Sequence, residues 1–174
     1  MYRVDKRDYK ICDIISNPEI SYQSLISFSN EKILIEEILE NEKPSTIAIE
    51  RKSCLYIFSE LADAIKFSLL MTDSKIYKVQ QLNTNFYHKG DMNFTEVMNE
   101  YITDKNILRQ LAKSYWAGKK TFKPSWEILV DKIQVKEIIS NDENRKKMLY
   151  EFNENPNIEK LNFYITQLQN NNLR

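Results

Sequence analysis

The sequence predicts an α+β protein whose sheet is split around a cleft. Runs of aromatic and branched residues, as in 54–58 and 126–131, have the composition of buried strands. Segments with an apolar residue every three or four positions are interleaved with these strands and predict helices. The connection 83–125 is too long and uneven for a regular βαβ unit. A parallel sheet with repeating crossovers is therefore not expected.

The N-terminal part of the chain is predicted to be extended and then helical. A strand at about 1–5 leads to a second extended segment near 9–15, which the Asn17-Pro18 pair ends. Periodic apolar residues then predict a helix over 31–41. Asn30 is the expected N-cap, because its side chain can accept a hydrogen bond from a free amide of the first turn.

A strand that turns directly into a helix is predicted near the middle of the chain. Residues 54–58 are all apolar or aromatic, Ser59 fits a helix N-cap, and 60–71 have helical periodicity. The junction brings together one ring from each element, Tyr56 from the strand and Phe67 from the helix. Residue type alone favours core packing for both rings, although two facing rings can also clamp a flat heterocycle.

The second half of the core alternates in the same way. A strand is predicted over 75–81, helices near 93–102 and 105–117, and strands over 126–131 and 133–138. In the strand 126–131, Trp126, Ile128 and Val130 share one face, and Glu127 lies on the other. Spacing alone therefore predicts that Glu127 is an exposed surface glutamate.

The chain is predicted to form a single domain over 1–174, with a core at 1–139 and a C-terminal helical pair in 140–174. Asn141 can cap the first of these helices, and Asn155-Pro156 separates it from the second. Their apolar faces are expected to pack on the sheet.

Composition limits the function without naming it. Lysine plus arginine and aspartate plus glutamate both number 25, so no global field draws the protein onto nucleic acid or an anionic membrane. Two cysteines and the lack of an apolar leader or span predict a reduced, cytoplasmic protein with no membrane partner. Short basic clusters such as Arg51-Lys52 and Lys119-Lys120 are interpreted as solvated surface, with a local basic groove as the alternative.

The scarcity of two residue types disfavours several enzyme classes. His88 is the only histidine and falls in an apparent polar turn, so we expect it to be exposed and to form neither a metal site nor a Ser-His-Asp triad. Gly90 is assigned to the same turn, and Gly118 to the left-handed position after a helix. Two glycines are too few for a phosphate loop or a doubly wound dinucleotide fingerprint.

The segment from Tyr56 through Asp63-Ala64 to Phe67-Ser68 resembles the second motif of the ADP-ribosyltransferase fold of diphtheria-type toxins and poly(ADP-ribose) polymerases. In that fold a strand tyrosine and an aromatic residue eleven positions later sandwich the nicotinamide of NAD. Arg3 in the opening strand matches the first motif, and Glu127 matches the glutamate of the third. The chain also looks like a group of small bacterial proteins assigned to that fold. The likeness covers roughly residues 1–139.

The resemblance implies an ADP-ribosyltransferase-like split β-sheet around an NAD cleft. It also implies transfer of ADP-ribose from NAD to a macromolecule, protein or nucleic acid, without a metal. Tyr56 and Phe67 would sandwich nicotinamide, and Arg3 would bind the adenosine ribose or the diphosphate. Glu127 would bind the ribose 2′-hydroxyl and stabilise the oxocarbenium-like transition state. Ser53 is the candidate for the serine of the arginine-serine-glutamate branch of the fold.

Departures from the family pattern leave alternatives open. The chain combines an arginine first motif with a tyrosine-type second motif, and Cys54-Leu55 replaces the glycine that usually precedes the tyrosine. The larger side chains are expected to crowd the cleft. Position 125 is Ser125 where arginine-specific members have a second glutamate, so arginine side chains are disfavoured as acceptors. An NAD glycohydrolase and a non-catalytic interaction or inhibitor module are the two alternatives on the same fold.

Overall fold

The predicted α+β class is confirmed by a computed structural model of the chain. It describes residues 1–16, 29–47, 50–69, 71, 73–82 and 87–140. The chain divides into two compact units, one with the described residues of 1–16, 56–84 and 132–140, the other with those of 29–55 and 87–131. The two predicted helices of 141–174 lie outside the described residues. No helix in the described part is long and apolar enough to cross a membrane.

The described residues form seven strands and four α-helices. The strands are β1 (Tyr2–Asp5), β2 (Ile14–Ser16), β3 (Leu55–Phe58), β4 (Lys75–Gln81), β5 (His88–Asp91), β6 (Trp126–Val130) and β7 (Lys132–Ser140). The helices are α1 (Asn30–Asn41), α2 (Leu61–Leu69), α3 (Met92–Met98) and α4 (Lys105–Trp116). Single 3₁₀ turns lie at Arg51–Ser53 and Asn99–Tyr101.

An antiparallel sheet forms the first unit. Its strand order is β2-β7-β4-β1-β3, with Val4 of β1 opposite Ile76 of β4 and Tyr2 opposite Phe58 of β3. The central position of β4, between β1 and β7, matches its burial, because Ile76, Tyr77 and Val79 are all buried. Helix α2 follows β3 directly and contacts β1 and β4, as expected for a strand that turns into a helix.

Helices dominate the second unit. Helix α4 contacts α1, α3 and β5, and its buried face carries Leu108, Leu111, Ala112, Tyr115 and Trp116 at the spacing that predicted it. Strand β5 pairs antiparallel with β6, so that Gly90 is opposite Glu127. The indole nitrogen Nε1 of Trp116 donates a hydrogen bond of 2.6 Å to the carbonyl of Leu39 and ties α4 to α1.

Three local predictions are wrong. Helix α1 is capped by Ser29, not Asn30, since the Ser29 hydroxyl accepts a hydrogen bond from the amide of Lys32 at 3.3 Å. Only the end of the extended segment 9–15 pairs as a strand, in β2. The polar turn assigned to His88 and Gly90 is strand β5, whose pairing with β6 supplies backbone partners that outweigh the turn-forming composition.

Candidate active site

A buried cluster of charged and aromatic side chains surrounds Glu127 in the second unit. Glu127 is only 4% exposed. Its Oε1 accepts a hydrogen bond of 2.6 Å from Nη1 of Arg51 and one of 2.7 Å from the hydroxyl of Tyr115. The same Nη1 lies 2.5 Å from the Tyr115 hydroxyl, so the three groups form a closed triangle. No described residue donates a hydrogen bond to Oε2, the second oxygen of Glu127.

Arg51 reaches the cluster from a single 3₁₀ turn, Arg51–Ser53, that precedes β3. Helix α1 holds it from the other side. Nε of Arg51 donates to Oε2 of Glu36 at 3.0 Å, and the amide of Arg51 donates to Oε2 of Glu40 at 3.0 Å. Its guanidinium therefore carries two carboxylate partners, Glu36 and Glu127, which offset the cost of burying its charge.

Tyr115 is placed by the absence of a side chain on Gly90. A methyl group at Gly90 would overlap the ring of Tyr115, so only glycine allows the ring to lie against β5. The ring also lies under the guanidinium of Arg51, whose central carbon is 5.0 Å from the ring centroid. The packing of the Tyr115 ring against Gly90 of β5 thus fixes the position of the hydroxyl that contacts Glu127.

The surroundings of the cluster are aromatic. The ring of His88 lies 4.9 Å from that of Tyr115 and 4.7 Å from that of Trp116. A ring nitrogen of His88 is hydrogen-bonded to the carbonyl of Tyr115 at 3.0 Å. Burial lowers the pKa of His88 and raises the pKa of the Cys54 thiol to about 12. Both groups are therefore neutral near neutral pH, and Cys54 is not a nucleophile.

The structure corrects three predictions about these residues. Glu127 is not exposed on the face away from the apolar residues, because the face that it shares with Leu129 is the buried one. His88 is not an exposed loop residue, since its ring packs in the aromatic cluster. Arg51 is not solvated surface; it is 5% exposed and ion-paired. A charged side chain is tolerated inside when partners supply an opposite charge and hydrogen bonds, and for Arg51 and Glu127 those partners lie far away in sequence.

A second buried ionic group, centred on Asp5, lies at the N-terminal end of the first unit. Asp5 Oδ2 accepts hydrogen bonds from Nη2 of Arg3 at 2.6 Å and from Nη2 of Arg7 at 2.8 Å. Burial by itself raises the pKa of Asp5, but the hydrogen bond from Arg7 and the charge of Arg3 outweigh it and lower the pKa to about 2. Asp5 is therefore ionised at all physiological pH values.

Arg3, Tyr56 and Phe67, three of the predicted cofactor-binding residues, lie in this first unit. Nη1 of Arg3 donates a hydrogen bond of 3.0 Å to the carbonyl of Tyr56, which joins the first motif to the second. Tyr56 and Phe58 share one face of β3, and the ring of Phe67 packs 5.2 Å from that of Phe58. Phe67 of α2 therefore packs on the strand that carries Tyr56, through Phe58.

The match to a protein family covers most of the chain. Residues 3–141 match the family described as "Protein of unknown function (DUF2441)". The chain belongs to the DUF2441 family. No curated protein matches the chain with statistical significance. All five predicted site residues of this DUF2441 protein lie inside the matched segment, as do Arg51 and Tyr115.

The predicted site residues of this DUF2441 protein are shared between the two units. Ser53 and Glu127 belong to the second unit, where Ser53 lies in the same 3₁₀ turn as Arg51. Arg51 and Tyr115 are the members of the cluster that sequence reasoning missed. A basic residue two positions before a candidate motif serine was the available signal for Arg51, and Tyr115 gave none beyond its place on an apolar helix face. No group of three or more His, Cys, Asp or Glu side chains in the described part is placed to hold a metal ion.

Proposed function

We propose that this DUF2441 protein cleaves the bond between nicotinamide and ribose in NAD and transfers ADP-ribose to a macromolecule, protein or nucleic acid. The observation that carries the proposal is the carboxylate of Glu127. It is buried and anchored through Oε1 by Arg51 and Tyr115, and no described residue donates a hydrogen bond to Oε2. Under this proposal one oxygen fixes the position of the group, and the other accepts a hydrogen bond from a substrate hydroxyl.

The chemistry requires a fixed negative charge beside the sugar. When the glycosidic bond breaks, its electron pair leaves with nicotinamide, and positive charge develops on the ribose ring. An acceptor nucleophile then attacks the anomeric carbon and loses its proton. A preorganised carboxylate stabilises the developing charge more than water does, because it does not have to reorient during the reaction. Glu127, held from two sides, is such a group.

The nicotinamide clamp is carried into this proposal from the resemblance at Tyr56 and Phe67. Phe67 packs on the strand of Tyr56 through Phe58, and an aromatic pair binds a flat heterocycle through stacking and buried area. Arg3 is 2% exposed and its guanidinium donates to Asp5 and to the carbonyl of Tyr56. Under this proposal Arg3 therefore positions the strand of Tyr56, in place of the direct contact with the diphosphate that the resemblance implies.

The deciding measurement is release of nicotinamide from NAD by the wild-type chain and by two charge-removing variants. Glu127→Gln keeps the shape of the side chain and removes its charge, so turnover is expected to fall on the order of 10²–10³-fold, as for loss of one preorganised electrostatic group. Glu36→Gln is the matched control, because it removes the other carboxylate partner of the same Arg51. Thermal unfolding of both variants measures any loss of stability.

The control separates a catalytic glutamate from a structural one. If Glu127 only balances the charge of Arg51, the two variants will lose stability and turnover to the same extent. Turnover by Glu127→Gln at the wild-type rate contradicts the proposal. Labelled NAD incubated with cell extract then identifies the acceptor. Label on protein or nucleic acid supports transfer, whereas nicotinamide release with no labelled macromolecule identifies a glycohydrolase, and no consumption of NAD identifies a non-catalytic module.

A further inference from the structure

The loop between α4 and β6 presents an exposed aromatic ring among lysines. Phe122 is 78% exposed, more than any other large apolar side chain of the described residues. Lys119, Lys120 and Lys123 flank it and are all exposed, and residues 117–126 contain no acidic side chain. A singly exposed apolar side chain is common on protein surfaces, so the ring alone does not mark a binding site. The combination of the exposed ring with three exposed lysines and no acidic neighbour is what distinguishes this loop.

The loop is held in place by two buried side chains. Asp91 is fully buried and accepts four hydrogen bonds: from the amides of Asn93 and Ser125 on Oδ1, and from the amide and hydroxyl of Thr121 on Oδ2, at 2.7–3.1 Å. The side-chain nitrogen of Asn93 donates to the Thr121 hydroxyl and to the carbonyl of Lys123, both at 2.8 Å. The residues on either side of Phe122 are therefore fixed before any partner binds.

A fourth lysine and a second ring lie at the ends of this loop. The ammonium group of Lys89 on β5 lies 4.7 Å from the ring centroid of Trp126, at the start of β6. The carbonyl of Lys89 is the atom nearest to a side chain that would be built on Gly118, at 4.0 Å. Lys89 therefore lies beside the start of the loop, and the basic character continues onto β5.

We propose that Phe122, Lys89, Lys119, Lys120 and Lys123, here called the loop surface, bind single-stranded nucleic acid. Lysines bind phosphate oxygens, and an exposed aromatic ring stacks on the face of an unpaired base, which a duplex hides. Charge complementarity selects a polyanion even though the whole chain is neutral. RNA and DNA share this chemistry, and the test distinguishes them. This proposal does not depend on the proposed cleavage of NAD, and the binding measurement is made without NAD.

Fluorescence anisotropy of labelled oligonucleotides of about 12 nucleotides tests the loop surface in the full chain. Single-stranded RNA, single-stranded DNA and a duplex of the same sequence are compared. A single strand is expected to bind more tightly than the duplex. Contacts to three or four phosphates predict that log K falls with log salt with a slope of about −2 to −3. The ratio of the RNA and DNA affinities measures which of the two the loop surface prefers.

Three variants locate the binding. Phe122→Ala, on a ring too exposed to support the core, is expected to weaken binding on the order of 5- to 150-fold, the measured range for loss of one stacked base. Lys119→Gln/Lys120→Gln is expected to weaken binding and to reduce the salt slope. The control Lys78→Gln/Lys136→Gln removes the same charge from exposed positions of β4 and β7 in the other unit, and is expected to have no such effect.

Several outcomes overturn the proposal. They are no binding of any single strand at about 50 mM salt, equal binding of duplex and single strand, or equal loss in the loop and control variants. Any of these results shows that the loop surface does not select single-stranded nucleic acid.

Discussion

At the scale of single residues, a charge is tolerated inside this protein wherever partners converge on it. The guanidinium of Arg51 is hydrogen-bonded to Glu36, Glu127 and the hydroxyl of Tyr115. The carboxylate of Asp5 accepts hydrogen bonds from two arginines. Removing one partner of a buried pair costs more than the pair contributes, because the remaining charge stays desolvated. Positions without charge can matter as much, and Gly90 is the clearest case, since its missing side chain makes room for Tyr115.

Gly90→Ala is therefore expected to destabilise the protein by about 3 kcal/mol or more, because an added methyl group overlaps the Tyr115 ring and forces it away from Glu127. Gly118→Ala is the control: its φ is 64°, and the nearest atom to an added methyl is 4.0 Å away. In the control, only the strain of a left-handed backbone conformation lowers the stability, by about 1–2 kcal/mol. Urea unfolding measures both. Equal losses of unfolding free energy in the two variants would show that overlap with the Tyr115 ring does not add to the cost of a side chain at position 90.

At the scale of secondary-structure elements, Asp5 joins β1 to the segment that follows it. Arg3 lies on β1, and the side chain of Arg7 and the hydroxyl of Tyr9 bind the same carboxylate from beyond the strand. The hydroxyl of Tyr77 on β4 donates to the carbonyl of Arg7 and extends the connection to a second strand. One carboxylate thus fixes the path of the chain as it leaves the sheet.

Asp5 predicts how the first unit responds to acid. Its pKa is lowered from 3.8 to about 2 in the folded state, so its stabilisation is complete above pH 4 and is lost as the pH falls through 2. The change is on the order of 2 kcal/mol. At neutral pH, Asp5→Asn is expected to cost about 3–5 kcal/mol, because Arg3 is left buried without its partner. That deficit relative to wild type should narrow by about 2 kcal/mol between pH 4 and pH 2.

Urea unfolding of both chains at several pH values measures the deficit. Asp8→Asn provides the control, since Asp8 pairs with Lys75 on the surface and its side chain is 80% exposed. This exposed substitution is expected to stay within about 0.5 kcal/mol of wild type. A deficit for Asp5→Asn that does not change with pH would show that the carboxylate is not the group that titrates.

At the scale of the whole molecule, binding of NAD would appear as added stability. A ligand that binds only the folded state stabilises it by RT ln(1 + [L]/Kd), about 2.7 kcal/mol at a hundredfold excess over Kd. If Tyr56 clamps nicotinamide, Tyr56→Ala should abolish most of this increase. Tyr101 is a tyrosine of similar, intermediate burial, and Tyr101→Ala is the control that should leave the stabilisation by NAD intact. Thermal unfolding with and without millimolar NAD is compared within each variant, because Tyr56→Ala also removes packing. An unchanged NAD effect in Tyr56→Ala would contradict the clamp.

The sequence by itself determined the elements whose signals are local. The strand predicted over 75–81 has those bounds in β4, the strand–helix junction appears as β3 and α2, and Gly118 has the left-handed φ predicted for it. Apolar periodicity and helix-ending glycine act over a few residues, so they can be interpreted without knowledge of the rest of the chain. The α+β class followed from the order of these elements.

Only the tertiary structure decided which polar residues are buried. Arg51 and Glu127 are separated by 76 positions, and each by residue type belongs on the surface. A lone charge is excluded from the interior by its desolvation cost, and a partner that is distant in sequence reverses that preference. The strand identity of His88 and Gly90 likewise depends on pairing with β6, some forty residues away in the chain. Residue type predicts whether a single side chain prefers the surface or the interior. Whether a charged side chain is buried depends on whether the fold brings an opposite charge to it.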